Sequence, residues 1–365
     1  MKVIFAGGGT GGHINPAISI ADYVKSQDKD FEALFIGTQR GLESKLVPKS
    51  GYDIKYIDIA GFNRKNLLKN VAVVKKLIKS RIDCRRIIRK FKPDCVVCTG
   101  GYVSGPVIMA AAKENVPSLI HEQNVYPGLT VKGSEKYVKY LAVSFDETVN
   151  LINAKEKCVV TGNPIRTEIL EADKSEARKK LGIDKPFVLV FGGSLGAKKI
   201  NDTMVDVIPM LSEKGGIKLL FGTGDRNYEE VNKKIKELGI NNADIEVVPY
   251  IDNMSEVMSA ADIVIARSGA ITVSELAALG KPAILIPSPN VVRNHQEQNA
   301  REFEKNNAAA VITEDELTAD TLYTKIISML EDETALKEMS DNLKKMAKTD
   351  ALPKIYELIK KMSEH

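Results

Sequence analysis

Short, continuously apolar runs alternate with helical stretches along this chain, and that alternation constrains its fold more than any other feature. Val3–Ala6, Ala33–Ile36, Cys95–Cys98, Ser118–His121 and Val159–Thr161 read as strands. The pattern resumes at Phe187–Phe191, Lys218–Phe221, Glu246–Pro249, Ile263–Ala266 and Ala283–Pro287. Strands that are apolar throughout, with helices between them, belong to a parallel sheet covered on both faces. Two such series predict an α/β chain of two doubly wound, Rossmann-like domains. The length of 365 residues agrees, since one core rarely serves so long a chain. The series also echo each other: Val3-Ile4-Phe5-Ala6 runs into Gly7-Gly8-Gly9-Thr10-Gly11, and Val188-Leu189-Val190-Phe191 runs into Gly192-Gly193-Ser194-Leu195-Gly196. The turn-prone Gly162-Asn163-Pro164 marks the junction, giving domains 1–163 and 164–349. A last helix, about Pro353–Met362 in a 350–365 tail, has no following strand, and its return to the first domain is one expectation.

Apolar residues at 44% and charged residues at 27% describe a packed globular chain. No signal-peptide pattern opens it, and no run of eighteen apolar residues occurs. Cys95 and Cys98 have the spacing of a metal or redox pair. On a strand, however, residues three apart face opposite ways, so reduced core thiols are expected.

A strand, then glycines, then a helix lets backbone N–H groups approach phosphate. Three loops have this form: Gly7–Gly12, Gly100–Gly105 and Gly192–Gly196. In the first, Asn15 suits an N-cap and Pro16 the first helical position, which sets His13 just ahead of the helix. A dehydrogenase would want an acid at the end of the second strand, but Phe35-Ile36-Gly37-Thr38 has none. The GxxxxGK[ST] of a P-loop enzyme is absent. In the second domain, Ala266–Pro282 joins a strand to a helix whose first amides could receive a diphosphate. There Glu275 either binds a ribose or closes a capping box with Thr272.

Six motifs occur in order over nearly the whole chain. They are Gly-Gly-Gly-Thr-Gly-Gly-His at 7–13, Thr-Gly-Gly-Tyr-Val-Ser-Gly-Pro at 99–106, His-Glu-Gln-Asn at 121–124, Gly-Asn-Pro-Ile-Arg at 162–166, Gly-Gly-Ser-Leu-Gly-Ala at 192–197 and Ser-Gly-Ala-Ile-Thr-Val-Ser-Glu at 268–275. Together they resemble the bacterial peptidoglycan GlcNAc-transferases of the MurG family. The resemblance implies a GT-B architecture and inverting transfer of GlcNAc from UDP-GlcNAc to the muramic acid 4-hydroxyl of lipid I, giving lipid II. It implies that Arg166 and the backbone near Ile251 meet uracil, that Ser194 with the amides of Ala270, Ile271 and Thr272 holds the diphosphate, that Glu275 takes the ribose and that Gln296 takes the sugar hydroxyls. Thr10, Gly11, Gly12 and Asn124 would reach the donor from the first domain. Gly8, Gly9, Gly101, Tyr102 and Ser104 would cradle the lipid I diphosphate.

Such a transfer needs a group to deprotonate the attacking hydroxyl. Of four histidines, His13, His121 and His295 fall within or beside the motifs, and His365 ends the chain. His13 is the first choice of base, with His121 and Glu122 as competitors. The helix at 270–272 can serve the leaving group, and Asp28-Lys29-Asp30 reads as a surface loop, so neither metal nor cofactor is expected.

The net charge of +4 is small, but residues 64–92 gather twelve basic residues against one acid, Asp83. Leu67, Val71, Val74, Ile78 and Ile82 recur at helical spacing, as in a basic amphipathic helix. That stripe is expected on the core, with Leu68, Val73 and Leu77 exposed beside Lys75, Lys76 and Lys79 for contact with an anionic inner leaflet. No aromatic platform accompanies the charge, which disfavours nucleic acid. A peripheral enzyme on the cytoplasmic face of the cell membrane is the expectation. The alternatives are a GT-B transferase for another lipid acceptor, a sugar epimerase of related fold and a non-catalytic nucleotide-sugar sensor.

Overall fold

The structure, a computed structural model, describes residues 1–59, 70–193, 195–240 and 242–364, with the side chains of 70–75 and 292 left aside. The chain divides into two compact units: Met1–Ile165 with Lys348–His365, and Arg166–Ala347.

Among the described residues, the first unit holds a sheet of β1 (Lys2–Ala6), β2 (Glu32–Gly37), β3 (Asp53–Tyr56), β4 (Cys95–Cys98), β5 (Ser118–Glu122), β6 (Tyr140–Val143) and β7 (Cys158–Val160). The order is β3-β2-β1-β4-β5-β6-β7, and neighbours run parallel. Alternation along each strand divides the core in two. Ile4, Ala6, Val96 and Cys98 meet Cys84, Ile88, Val107 and Ile108 on one face. Val3, Phe5, Cys95 and Val97 meet Ile14, Ile20 and Val24 on the other, where Ile355, Leu358 and Ile359 of the last helix, Ala351–Ser363, also pack. Cys95 and Cys98 thus lie on opposite faces, and both are free thiols. Asp28 serves the chain start, with its carboxylate 3.1 Å from the Met1 ammonium.

The second unit holds β8 (Phe187–Phe191), β9 (Lys218–Gly222), β10 (Ile245–Val248), β11 (Ile263–Ala266), β12 (Ala283–Leu285) and β13 (Ala310–Val311), ordered β10-β9-β8-β11-β12-β13 and again parallel.

Strand order now explains the glycines. Order reverses between β1 and β4 in one sheet and between β8 and β11 in the other. Open α/β sheets bind ligands at the carboxyl ends beside such a reversal. The loops that emerge there are Gly7–Thr10 and Thr99–Val103 in the first unit, and Gly192–Ala197 and Arg267–Gly269 in the second. Adjacent loops meet backbone to backbone. Gly101 has φ +77°, and a Cβ there would stand 2.2 Å from the Gly8 carbonyl oxygen.

Three strands escape the apolar-run reading. β3 is a largely exposed edge strand, Asp-Ile-Lys-Tyr; β6 is a four-residue run closed off by Lys139 and Ser144; and β13 has only two residues. The first helix also departs from expectation. It spans Gly11–Gln27 with Thr10 as N-cap, so Asn15 is no cap and Pro16 lies inside it. The Thr10 carbonyl accepts the His13 and Ile14 amides at 3.1 and 3.2 Å, which starts the helix early. The cost is the bond that Pro16, lacking an N–H, cannot donate to Gly12. His13 therefore sits in the first turn rather than ahead of it.

Candidate active site

In the first unit the site is built around His13. Its Nδ1 lies 3.0 Å from the Thr99 carbonyl and 3.2 Å from Gln123 Oε1. Both are acceptors, so Nδ1 carries the proton and Nε2 keeps a lone pair. The Thr99 hydroxyl donates to the His13 carbonyl at 2.6 Å, which ties the helix start to the end of β4. The ring lies over Gly100, where a Cβ would come within 2.8 Å of Nδ1. Burial lowers the His13 pKa from the ordinary 6.5, against the raising effect of the bonds from Gln123 and Thr99. The imidazole is consequently neutral at pH 7, the state a base requires.

The two competitors are otherwise engaged. His121 is fully buried, donates from Nε2 to the Gly162 carbonyl at 2.9 Å and accepts the Gln123 amide on Nδ1 at 3.0 Å. Burial pushes its pKa down to about 4. The Glu122 carboxylate accepts from the Asn124 amide at 2.9 Å, the Asn124 side chain at 3.1 Å and the Gly128 amide at 2.7 Å. Both residues shape the end of β5 and the loop that presents the half-buried Asn124.

Two expected diphosphate contacts turn inward. The Ser104 hydroxyl is buried, donating to the Gly100 carbonyl at 2.7 Å and accepting the Gly100 amide at 3.2 Å. The Gly9 amide donates to Glu43 Oε2 at 3.2 Å. Glu43, fully buried, also accepts the Thr38 amide and hydroxyl at 3.0 and 2.7 Å. The acid missing at the end of β2 is thus supplied five residues on, but it braces the glycine loop from beneath. Tyr102 covers the loop from above, with its ring against Gly9 and its hydroxyl 3.4 Å from Thr38 Oγ1. Gly8 is buried, Gly11 and Gly101 are half-buried, and Thr10 and Gly12 are exposed. No sequence signal marks Glu43; Gln123 lies within the His-Glu-Gln-Asn motif, but the motif does not show its contact with His13, 110 residues away in the chain.

In the second unit the helix Ala270–Leu279 follows β11, with Gly269 as N-cap. Its ladder opens with the Val273 amide on the Gly269 carbonyl at 3.0 Å, which places the amides of Ala270, Ile271 and Thr272 at its positive end. Thr272 therefore lies within the first turn, and the capping-box alternative for Glu275 falls away. Glu275 is 6% exposed and meets Arg166, whose Nη2 stands 3.1 Å from Oε1. Burial raises the Glu275 pKa, and Arg166 opposes that rise. Gln296 accepts the Ser288 amide on Oε1 at 2.8 Å, and its carbonyl accepts the Ser268 hydroxyl at 2.8 Å. Ile251 is buried against Gly222. Ser194 lies outside the described residues. Nearby Gly196 is tightly fitted: at φ +73°, it would bring a Cβ to 2.0 Å from the Thr223 carbonyl oxygen.

Comparison with known proteins accounts for these paired sites. Residues 3–143 match the glycosyltransferase family 28 N-terminal domain, and residues 187–355 match the family 28 C-terminal domain. A protein of Acetivibrio thermocellus, named UDP-N-acetylglucosamine--N-acetylmuramyl-(pentapeptide) pyrophosphoryl-undecaprenol N-acetylglucosamine transferase, is 48% identical over 99% of this chain and 98% of its own. The chain belongs to the MurG family of family 28 glycosyltransferases. A Listeria monocytogenes protein of the same name is 44% identical over 98% of this chain and 99% of its own. The crystal structure of Acinetobacter baumannii MurG superposes with a TM-score of 0.80 at 28% identity, covering 99% of both chains. UDP-GlcNAc 2-epimerase structures also match, for example that of Neisseria meningitidis at TM-score 0.67 and 14% identity, and they share the fold alone. As a MurG-family member the chain is a GT-B glycosyltransferase.

The basic helix spans Asn70–Phe91 in the first unit, and its facing corrects the sequence reading. Ser80, Cys84 and Ile88 form the inner face, while Ile78 and Ile82 are 56% and 46% exposed. Leu77 is half-buried. The stripe expected on the core thus points outward at Ile78 and Ile82. Small Ser80 and Cys84 let the helix approach Ser104–Lys113 closely, and Glu114 ties it down through Arg85 and Arg89 at 2.6 and 2.7 Å. Lys76 pairs with Asp58 at 2.8 Å, and Lys79 is exposed. Leu68 and the side chains of Val73 and Lys75 lie outside the described residues. Among the described residues no helix is long and apolar enough to cross a membrane.

Proposed function

We propose that this chain transfers GlcNAc from UDP-GlcNAc to the 4-hydroxyl of the muramic acid of lipid I, with inversion, giving lipid II. The observation that carries this reading is the 48% identity, over 99% of the chain, to a transferase whose name states that donor and that acceptor. In the transfer, His13 Nε2 takes the proton of the attacking hydroxyl as its oxygen bonds to the anomeric carbon. The bond from that carbon to the β-phosphate oxygen breaks, and its electron pair leaves with UDP. The amides of Ala270, Ile271 and Thr272 and the adjoining helix end offset the charge that develops there. Glu275 accepts the ribose hydroxyls, Arg166 and the chain near Ile251 hold uracil, and Gln296 meets the sugar. In the first unit, Thr10, Gly11, Gly12 and Asn124 are the residues assigned to the donor sugar. Gly8, Gly101 and Tyr102 border the lipid diphosphate. The direct test is transfer of labelled GlcNAc from UDP-GlcNAc to a lipid I analogue.

The same reading places the first unit on an anionic membrane surface through its basic helix. Ile78 and Ile82 share an outer face with Arg86, an arrangement suited to shallow insertion between charged headgroups. Reversing Lys75, Lys76 and Lys79 to glutamate is expected to weaken binding to anionic vesicles by on the order of 100-fold, at about 1 kcal/mol for each basic charge lost. Sedimentation with vesicles at two salt concentrations checks this, and unchanged binding would refute it.

A further inference from the structure

The chemistry of His13 is set from within the first unit by a chain of hydrogen bonds with one permitted direction. The Gly162 carbonyl can only accept, so His121 Nε2, 2.9 Å away, carries the proton. His121 Nδ1 is then an acceptor, and it lies 3.0 Å from Gln123 Nε2. The same Gln123 nitrogen stands 2.9 Å from the Thr99 carbonyl and 3.1 Å from the His121 carbonyl. Three acceptors surround that position, so the Gln123 amide cannot be reversed, and Oε1 is left aimed at His13 Nδ1 at 3.2 Å. The segment is braced again by the Asn163 side chain, which donates to the Gln123 carbonyl at 3.0 Å. Gln123 is 3% exposed and His121 0%, so water does not compete for these bonds.

We propose that Gln123 is a positioning residue for glycosyl transfer: oriented by His121, it joins Thr99 in holding His13 with its proton on Nδ1 and its lone pair on Nε2. This rests on the reading of His13 as the base. A ring held by one acceptor can swing about that bond, whereas two acceptors fix its plane as well. His121, passed over as a base, acquires a role as the group that decides which end of Gln123 faces His13.

The test uses the full chain labelled with ¹⁵N at histidine, whose four imidazoles give a sparse spectrum. The His13 signals are assigned by their loss in His13→Ala. At neutral pH the wild-type His13 is expected to show a protonated Nδ1 and an unprotonated Nε2. A wild-type His13 protonated on Nε2, or on both nitrogens, would overturn the proposal whether or not Gln123→Met folds. In Gln123→Met, which keeps the shape and removes both polar ends, the His13 spectrum is expected to move toward the other tautomer. Turnover should then fall about 10- to 100-fold, as for a misplaced catalytic group, with KM for UDP-GlcNAc unchanged. An unaltered His13 spectrum with wild-type kcat in Gln123→Met would overturn it. The spectrum reads the tautomer whether or not His13 is the base, so failure of the base assignment appears separately, as normal turnover in His13→Ala.

Discussion

Replacing His13 by alanine is expected to lower kcat by ~100-fold or more, the usual scale for loss of a general base. KM for UDP-GlcNAc should change little, because the uracil, ribose and diphosphate contacts are assigned to the second unit. The pH dependence has a definite sign. The base acts as neutral imidazole, and burial lowers its pKa from 6.5, so the acid limb of kcat/KM should lie below 6.5 and activity should fall as pH drops through it. In His13→Ala that limb should disappear. Steady-state kinetics on both proteins, with donor affinity measured separately, check the expectation. Near-normal turnover with intact donor affinity would remove His13 from the mechanism.

Glu275→Gln is the second large expectation, and it separates affinity from stability. A buried carboxylate that accepts two ribose hydroxyls makes charged hydrogen bonds of roughly 1.5–3 kcal/mol each, so weakening them should raise KM for UDP-GlcNAc about 10- to 100-fold. The pKa of Glu275 is raised by burial, so its ionisation costs more in the folded state than in the unfolded chain. Its contribution to stability therefore declines as pH rises from 4.5 toward the folded-state value. Glutamine removes that penalty while still accepting a bond from Arg166. The variant should have a melting temperature at neutral pH equal to or above that of the parent, together with poor donor binding. A lower melting temperature with unchanged KM would make Glu275 a structural residue instead.

Much of this was legible in the sequence because parallel strands buried on both faces must be apolar throughout, and because loops that meet backbone to backbone must be glycine. Those two requirements mark β1, β4 and β8 with the glycine loops after them, and the first alone marks β11; strand order reverses between β1 and β4 and between β8 and β11. Other features depend on contacts the sequence does not display. Helical spacing showed that residues 64–92 have an apolar stripe, but not which face is covered. The inner face is carried by Ser80 and Cys84, which hydropathy undervalues, and so Ile78 and Ile82 came out exposed. Pro16 suggested a helix start five residues too late, because the Thr10 carbonyl opens the helix at Gly11 despite the bond that Pro16 forgoes. His121 and Glu122 stood behind His13 as candidate bases, and Ser104 as a diphosphate contact, until their buried partners were seen. Glu43 gave no signal at all, since its carboxylate acts on Thr38 and Gly9 by reaching back from the following helix.

The most direct measurement of the central claim is transfer of radiolabelled GlcNAc from UDP-GlcNAc to a lipid I analogue by the purified full chain. Label is expected in the lipid product, with one UDP released for each sugar transferred and no turnover of UDP-GlcNAc when the lipid is withheld. Turnover without the lipid, as an epimerase would give, or no transfer when both substrates are present, would contradict it.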